Sequence, residues 1–418
     1  KAVDLAEPGD IIYLRGGTYF LTKRIKIEKA GSEEAYISMF GYPGERVILD
    51  GSRIQVNSVN EFKQARCIYV NHFGDYWHFK NIEFCNAKDN GMKIEGSFTI
   101  VENCKFYGNN DTGLQIGMYK DFSIEETKSF PVSGEPQFNP GYRYSRYNKV
   151  INCDSWNNYD SQSFGGSDDG GDADGFAAKL FPGPGTEFHG CRAWNNSDDN
   201  WDLYMVYHPI VIAECWAWNG GKDAGNVARG NGNGFKLGGG GTSGRAAFAQ
   251  SVGAHVVRNC VSFNNTNKGY DQNNAYEAMY LFNNVAWGND YNYRFPTIIP
   301  YGTMYLRNNI GFKAATLNHE FLSAGKEGSK VPDTGFNSWT TFDGCDPYKD
   351  GNKVNGSNVR AKDYSSQFSD LSIELASAPR ENDGSLPVNE FSRLIAHSIF
   401  INSGQNVENF IPQTHSPG

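Results

Sequence analysis

One short pattern recurs along most of this chain. An apolar run is followed by Asn-Cys or Asn-Asn, three residues that include an aromatic, and then Asn-Asn or Asn-Gly. The copies read NIEFCN from Asn81, NCKFYGNN from Asn103, NCDSWNN from Asn152, GCRAWNN from Gly190, ECWAWNG from Glu214, NCVSFNN from Asn259, NNVAWGN from Asn283 and NNIGFKA from Asn308. Phe84 and Phe106 are 22 residues apart, Trp194 and Trp218 are 24, Phe263 and Trp287 are 24, and Trp287 and Phe312 are 25. The longer gaps, Phe106 to Trp156, Trp156 to Trp194 and Trp218 to Phe263, read as one coil plus an insert. A period in the low twenties built from short strands marks a solenoid, and the missing leucine pattern excludes leucine-rich repeats. Three short strands per coil fit an all-β fold, a right-handed parallel β-helix. Coils stack about 4.8 Å apart, so equivalent Asn side chains are expected to form amide ladders, with Cys and aromatics stacked inside.

Composition agrees with a turn-rich β chain: 48 Gly, 14% aromatic and only 20% charged residues among 418. Coils are expected over about residues 6–340 of a single 1–418 domain, with strands near Ile11–Leu14, Ala35–Phe40 and Arg46–Leu49. The periodicity then fades, and an irregular C-terminal cap over about 341–418 is expected, with one short helix around Val388–His397. Long loop inserts fall at about 117–147, 160–171, 220–231 and 238–254, and loops of this length on a regular scaffold commonly carry function. Six of the eight cysteines occupy equivalent repeat positions, which favours a column of small buried residues over disulfides. No apolar run reaches 18 residues, so no membrane span is expected. The formal charge of -9 argues against nucleic acid as partner and disfavours a dense polyanion unless cations or a basic patch offset it.

After each Asn-Asn turn a second element recurs: DNGMKI at Asp89, NDTGLQI at Asn110, ADGFAAK at Ala173, SDDNWDLY at Ser197 and GNGFKLG at Gly232. Stacked in register, these place Asp174, the group Asp198, Asp199 and Asp202, and Lys236 on three successive coils of one face. Carboxylates packed so closely repel one another unless a hard cation sits among them, and Ca²⁺ takes six to eight oxygens in flexible geometry. Lys236 points outward if Phe235 and Leu237 point in, and a lysine beside such a site serves as a base if its pKa is lowered. Alone, an outward lysine reads as solvated surface; its place one coil beyond the carboxylates favours catalysis. Asp168, Asp169 and Asp172 read as turn residues.

Lys179, Arg192, Tyr204 and Asn233 are the candidate substrate-binding residues, with Lys93 and Arg307 as further binders of substrate anions. Tyr142, Tyr144, Tyr147, Tyr207 and Tyr270 join Tyr204 as candidates for stacking on sugar rings. The eight histidines form no metal-spaced pair and adjoin no nucleophile motif. GGGGTSG from Gly238 lacks the Lys-Ser/Thr of a P-loop.

At these residues the chain resembles polysaccharide lyase family 9, the parallel β-helix lyases of pectic polymers. The match rests on ADGFAAK, SDDNWDLY and NGFKLGGGG in that order, within Asn- and Cys-bearing coils, and covers roughly residues 6–340. The resemblance implies that Asp174, Asp198, Asp199 and Asp202 hold Ca²⁺ and that Lys236 is the Brønsted base. It implies β-elimination at a 4-linked galacturonate, with the metal neutralising the sugar carboxylate and a 4,5-unsaturated uronate left behind. The implied partner is pectin, and the implied setting is a secreted, periplasmic or cell-surface bacterial monomer, with no signal sequence in a chain that opens at KAVDLAEPGD. The family includes lyases of homogalacturonan and of rhamnogalacturonan I, and an acidic chain rich in loop tyrosines leans slightly to the second. Two other readings stay open. A β-helix glycoside hydrolase would use Asp198 and Asp199 as an inverting pair without metal, but the histidine expected in the next coil is absent. A non-catalytic glycan-binding β-helix predicts no clustering of carboxylates with a lysine.

Overall fold

The computed structural model of the protein describes residues 2–58, 61, 64–117, 145–161, 169–206, 208–239, 254–275, 279–299, 302–321, 332–344, 353–354, 357–358 and 363–410. Within these residues each coil supplies one short strand to each of three sheets, and the strands of these sheets pair in parallel with their equivalents one coil away; Lys353–Val354 and Ser357–Asn358 form a separate antiparallel pair. The first sheet has 11 strands, from Ile11–Leu14 to Asp333–Gly335. The second, from Gly17–Phe20 to Ile310–Phe312, and the third, from Ile25–Ile27 to Leu317–Glu320, have 10 each. The result is the parallel β-helix that the repeat predicts, with the right hand that parallel crossovers adopt.

The recurring Asn has a backbone cause. A sharp corner after a strand needs a left-handed residue, which Asn and Gly tolerate best. Asn103, Asn152, Asn259, Asn283 and Asn308 take φ of 53°, 54°, 54°, 56° and 58°, and Gly190 turns the same corner at 61°. The next residue points inward: Cys104, Cys153, Cys191, Cys215 and Cys260, then Asn284, Asn309 and Asn337. Cys104 N–H donates to Cys153 Sγ at 3.4 Å and Cys260 N–H to Asn284 Oδ1 at 3.0 Å. These thiols are free and buried. The column has five cysteines rather than six, because Cys85 lies beside Tyr107 on the outer row of the second sheet and Cys67 just precedes a third-sheet strand.

A second ladder runs at the corner between the second and third sheets. Asn109 donates to Asn158 Oδ1 at 3.0 Å, Asn158 to Asn196 Oδ1 at 2.8 Å, and Asn265 to Asn289 Oδ1 at 2.9 Å. Gly220 interrupts it, and Asn200 fills the gap by donating to Asn265 Oδ1 at 2.9 Å. Asn265 Oδ1 also accepts Gly220 N–H at 2.9 Å. Asn265→Ala therefore strands several buried groups, each worth ~1–3 kcal/mol when left unpaired. A drop of about 3 kcal/mol in stability is expected, read as a lower urea midpoint at unchanged slope. A midpoint equal to wild type would show that the ladder carries no weight.

The aromatics divide differently from the expectation that they stack inside. Phe84 and Phe106 are interior, but the residues that continue their row inward are small: Ser155, Ala193, Ala217 and Ser262. Trp156, Trp194, Trp218, Phe263, Trp287 and Phe312 form the neighbouring outward row. Adjacent strand positions point to opposite faces, so one residue's difference in register separates the two sets. The small inward residues make room for the stacked third-sheet interior, where Trp201, Phe235, Tyr270 and Tyr293 have successive centroids 4.8, 5.1 and 4.9 Å apart.

The outward row explains the C-terminal segment. Residues 363–410 lie against the side of the stack, chiefly along the second sheet, with Phe410 reaching Phe282 and Tyr305 of the first. Phe391 packs on Trp216, Phe263 and Trp287 at 4.7, 5.5 and 6.0 Å, and Phe368 on Phe312 at 5.5 Å. The stack ends under Trp339 of the short helix Ser338–Thr341, fully buried against Tyr293 and His319. The expected helix at Val388–His397 is absent; a single turn at Ile373–Ala376 is helical, and Phe391 and Leu394 form bridges to Asp370 and Phe368.

Candidate catalytic and cation-binding site

Along the third sheet the outward row runs Lys93, Gln115, Ala177, Asp202, Lys236, Asp271. Phe176, Trp201 and Phe235 point inward from the same strands, so the stacking that fixes the core also sets Asp202 and Lys236 side by side on successive coils. Asp174 and Asp199 come two residues before Phe176 and Trp201, where Gly175 N–H donates to Asp199 O at 3.0 Å. Three successive coils thus meet, as the sequence predicts.

One carboxylate oxygen from each of Asp174, Asp199 and Asp202 lies within 4.8 Å of the others. Lys236 Nζ is 3.0 Å from Asp199 Oδ2 and 3.5 Å from Asp202 Oδ1. Burial, together with repulsion from its neighbours, pushes Asp174 well above the usual carboxylate range; burial also raises Asp199, against the pull of Lys236. Burial pulls the Lys236 ammonium down, but the carboxylates of Asp199, Asp202, Asp198 and Asp174 outweigh it and hold its pKa well above the ordinary lysine value.

Asp198 does not join the group of three. Its Oδ1 accepts the backbone N–H of Asn231, because neighbouring residues in this turn aim their side chains apart. Asn233, expected to touch substrate, is 1% exposed and faces the cluster from within: its backbone N–H and its Nδ2 both donate to Asp199 Oδ1 at 2.8 Å. Lys179, also expected to touch substrate, turns into the carboxylates, 2.6 Å from Asp174 Oδ2 and 3.3 Å from Asp202 Oδ2. Tyr204 flanks the site half-buried, its ring centroid 5.9 Å from Lys236 Nζ. Gly239, at φ 140°, leaves room for that ring, which a Cβ there would strike.

Arg192 is misplaced by the sequence reading. It sits on the second sheet, where Nε and Nη2 grip Asp154 at 2.8 and 2.9 Å and Nη1 donates to Ala376 O and Ala378 O of the C-terminal segment at 3.0 and 2.8 Å. Arg307 lies on the first sheet, paired with Asp333. Tyr270 is fully buried in the core stack, and Tyr147 stacks on Phe98 at 5.3 Å. Asp169 pairs with Arg229, as a loop residue would. Tyr142, Tyr144, Tyr207, Asp168 and most of the inserts 117–147 and 238–254 lie outside the described residues. Lys93 is in the active row but 1% exposed, and burial lowers its pKa to about 7.

The sequence reading missed Thr112, whose Oγ1 is 3.1 Å from Asp174 Oδ2. It stands one coil before Asp174, and aligning NDTGLQI with ADGFAAK was the available signal. Asp271, ion-paired with Lys268 at 3.1 Å, follows Lys236 in the row and was overlooked in the same way.

The family model for the Pel9A-like, right-handed β-helix region matches residues 1–309. Pectate lyase L of Dickeya dadantii is 34% identical over 418 residues, covering 98% of this chain and 81% of that protein. Pectate lyase L of Paenibacillus polymyxa is 30% identical, covering 95% and 77%. The crystal structure of pectate lyase Pel9A superposes with a TM-score of 0.73 at 31% identity, over 98% of this chain and 86% of that one. A rhamnogalacturonan lyase shares the fold, with a TM-score of 0.69 at 21% identity over 94% and 90%.

Proposed function

The chain belongs to polysaccharide lyase family 9, and from that premise we propose that it cleaves 4-linked galacturonate in pectin by β-elimination, using Ca²⁺ at Asp174, Asp199 and Asp202 and Lys236 as base. The observation that carries this reading is the meeting of three buried carboxylates, grouped within 4.8 Å, with a lysine 3.0 Å from one of them. The donor set suits a hard cation, being all oxygen. Asp199 Oδ2 and Asp202 Oδ1 are buried and face the Lys236 ammonium at 3.0 and 3.5 Å, so the oxygens that a metal would take already stand toward a positive charge. Asp198 holds the amide of Asn231 with Oδ1, and its charge acts on Asp199, Lys236 and Asp174, so its other oxygen is the one that would serve such an ion.

Bound there, calcium supplies positive charge that neutralises the uronate carboxylate and offsets the charge growing on it as C5 loses its proton. Lys236 takes that proton, the C5–H electron pair becomes the 4,5 double bond, and the C4–oxygen bond breaks as solvent water protonates the departing oxygen. Lys236 accepts a proton only when neutral, and the carboxylates around it are what hold it charged, so their neutralisation frees it. Asn233 keeps Asp199 aimed through two hydrogen bonds, and the Trp201–Phe235 stack holds Asp202 and Lys236 one coil apart. The hydrolase reading finds less support, since Asp198 and Asp199 diverge and Lys236 leans on Asp199.

The lean toward rhamnogalacturonan I loses one support, because Tyr270 is core, and the relatives at 30–34% identity are named pectate lyases. We therefore take polygalacturonate as the first substrate. A polymer of that size is met outside the cytoplasm, which favours a secreted, periplasmic or cell-surface bacterial protein, and a monomer is the state we propose for it. No helix among the described residues is long and apolar enough to cross a membrane. The test supplies polygalacturonate and rhamnogalacturonan I in parallel with calcium and follows the ultraviolet absorbance of unsaturated uronate. A rise on polygalacturonate that EDTA abolishes is expected. New reducing ends without absorbance would establish hydrolysis instead.

A further inference from the structure

Two lysines stand among the three carboxylates, and the elimination uses only one. Lys179 Nζ bridges Asp174 Oδ2 and Asp202 Oδ2 at 2.6 and 3.3 Å, on a side chain 12% exposed. It occupies oxygens of the very residues assigned to calcium. Three carboxylates and two ammonium groups leave one negative charge among these five, which a divalent ion turns into one positive charge for as long as both lysines stay protonated. Close positive charges in a buried site repel strongly, so the ion and the Lys179 ammonium compete for the same place.

The structure offers the ammonium a second place. Lys179 also interacts electrostatically with Asp111 and Asp172. Thr112 stacks on Asp174 one coil away. Asp111 precedes it in sequence and is held by Thr112 N–H at 2.5 Å. Asp111 thus belongs to the coil next to the one that carries Asp174 and Lys179, and coils stack about 4.8 Å apart.

We propose that Lys179 is a tethered counter-ion that calcium displaces, its ammonium passing from Asp174 and Asp202 to Asp111. This rests on the calcium reading above and deepens it. Without calcium, Lys179 keeps the buried carboxylates compensated and the site in shape. With calcium, the competition raises the concentration at which the site fills, and Asp111, which touches no metal, sets part of the affinity through Lys179.

Calorimetric titration of the EDTA-stripped full chain with CaCl₂ tests this, independently of turnover. Lys179→Met keeps the stem and removes the charge; its calcium affinity is expected to rise about tenfold, while the stripped protein melts at a lower temperature. Asp111→Asn is expected to bind calcium several-fold more weakly, and that loss is expected to vanish in the double variant, where no ammonium needs a new partner. An unchanged or weaker affinity in Lys179→Met overturns the proposal. So does an Asp111→Asn effect of equal size in both backgrounds, which marks a plain field effect. A wild type that takes up no calcium removes the cation reading itself and this exchange with it.

Discussion

Lys236→Ala is expected to slow formation of unsaturated product by roughly 10²–10⁴-fold, the share that a positioned base contributes. Among the described residues, Lys236 and Lys179 are the ammonium groups within 4 Å of the carboxylate cluster, and Lys179 is engaged by Asp174 and Asp202. The neighbours of Lys236 in the outward row are Asp202 and Asp271, neither able to replace a neutral amine. Lys236→Arg separates basicity from charge. A guanidinium preserves the attraction to Asp199 and Asp202 yet does not give up its proton, so it is expected to be as inactive as alanine while melting with calcium near the wild-type temperature. Activity above a tenth of wild type in either variant would remove Lys236 from the base role.

Asp202→Asn should hold one quantity and lower another. Asp202 is approached by both lysines, at 3.3 Å by Lys179 and 3.5 Å by Lys236. Its removal leaves Asp174 with Lys179 and Asp199 with Lys236, two balanced pairs at 2.6 and 3.0 Å. In EDTA the variant is therefore expected to melt no lower than wild type. Calcium, however, loses a central oxygen. Where an ion at a hundred times its Kd stabilises the wild type by about 2.7 kcal/mol, the variant should gain little, and its activity should fall with its occupancy. Melting curves with and without calcium decide this. A calcium-induced rise equal to wild type would show that Asp202 is no ligand, and a large loss of stability in EDTA would show that the two pairs do not balance alone.

These expectations depend on features of unequal legibility. The strand period of two and the coil period in the low twenties were readable because both are local repeats: Phe235, Lys236 and Leu237 had to alternate, and ADGF, SDDNW and GNGF had to stack. That placed Asp174, Asp198, Asp199, Asp202 and Lys236 on one face, of which Asp174, Asp199 and Asp202 group together while Asp198 Oδ1 turns to the Asn231 amide. The alternation also separated inward Ala193 and Ala217 from outward Trp194 and Trp218, and reading the aromatics by repeat position alone missed that step of one residue.

What the periodicity left open was the partner of each charged side chain. Arg192 looked free because Asp154, 38 residues earlier, and Arg380, 188 later, were not visibly its neighbours; the C-terminal segment brings them together along the second sheet. The rotamers of Asp198 and Lys179 turn on the Asn231 amide and on two carboxylates from different coils. The sequence alone determined the solenoid, its register and the face that carries the chemistry, since these follow from backbone geometry repeated coil by coil. The tertiary structure alone decided which charges neutralise one another, because buried charges choose partners by distance, and distance here is set across coils rather than along the chain.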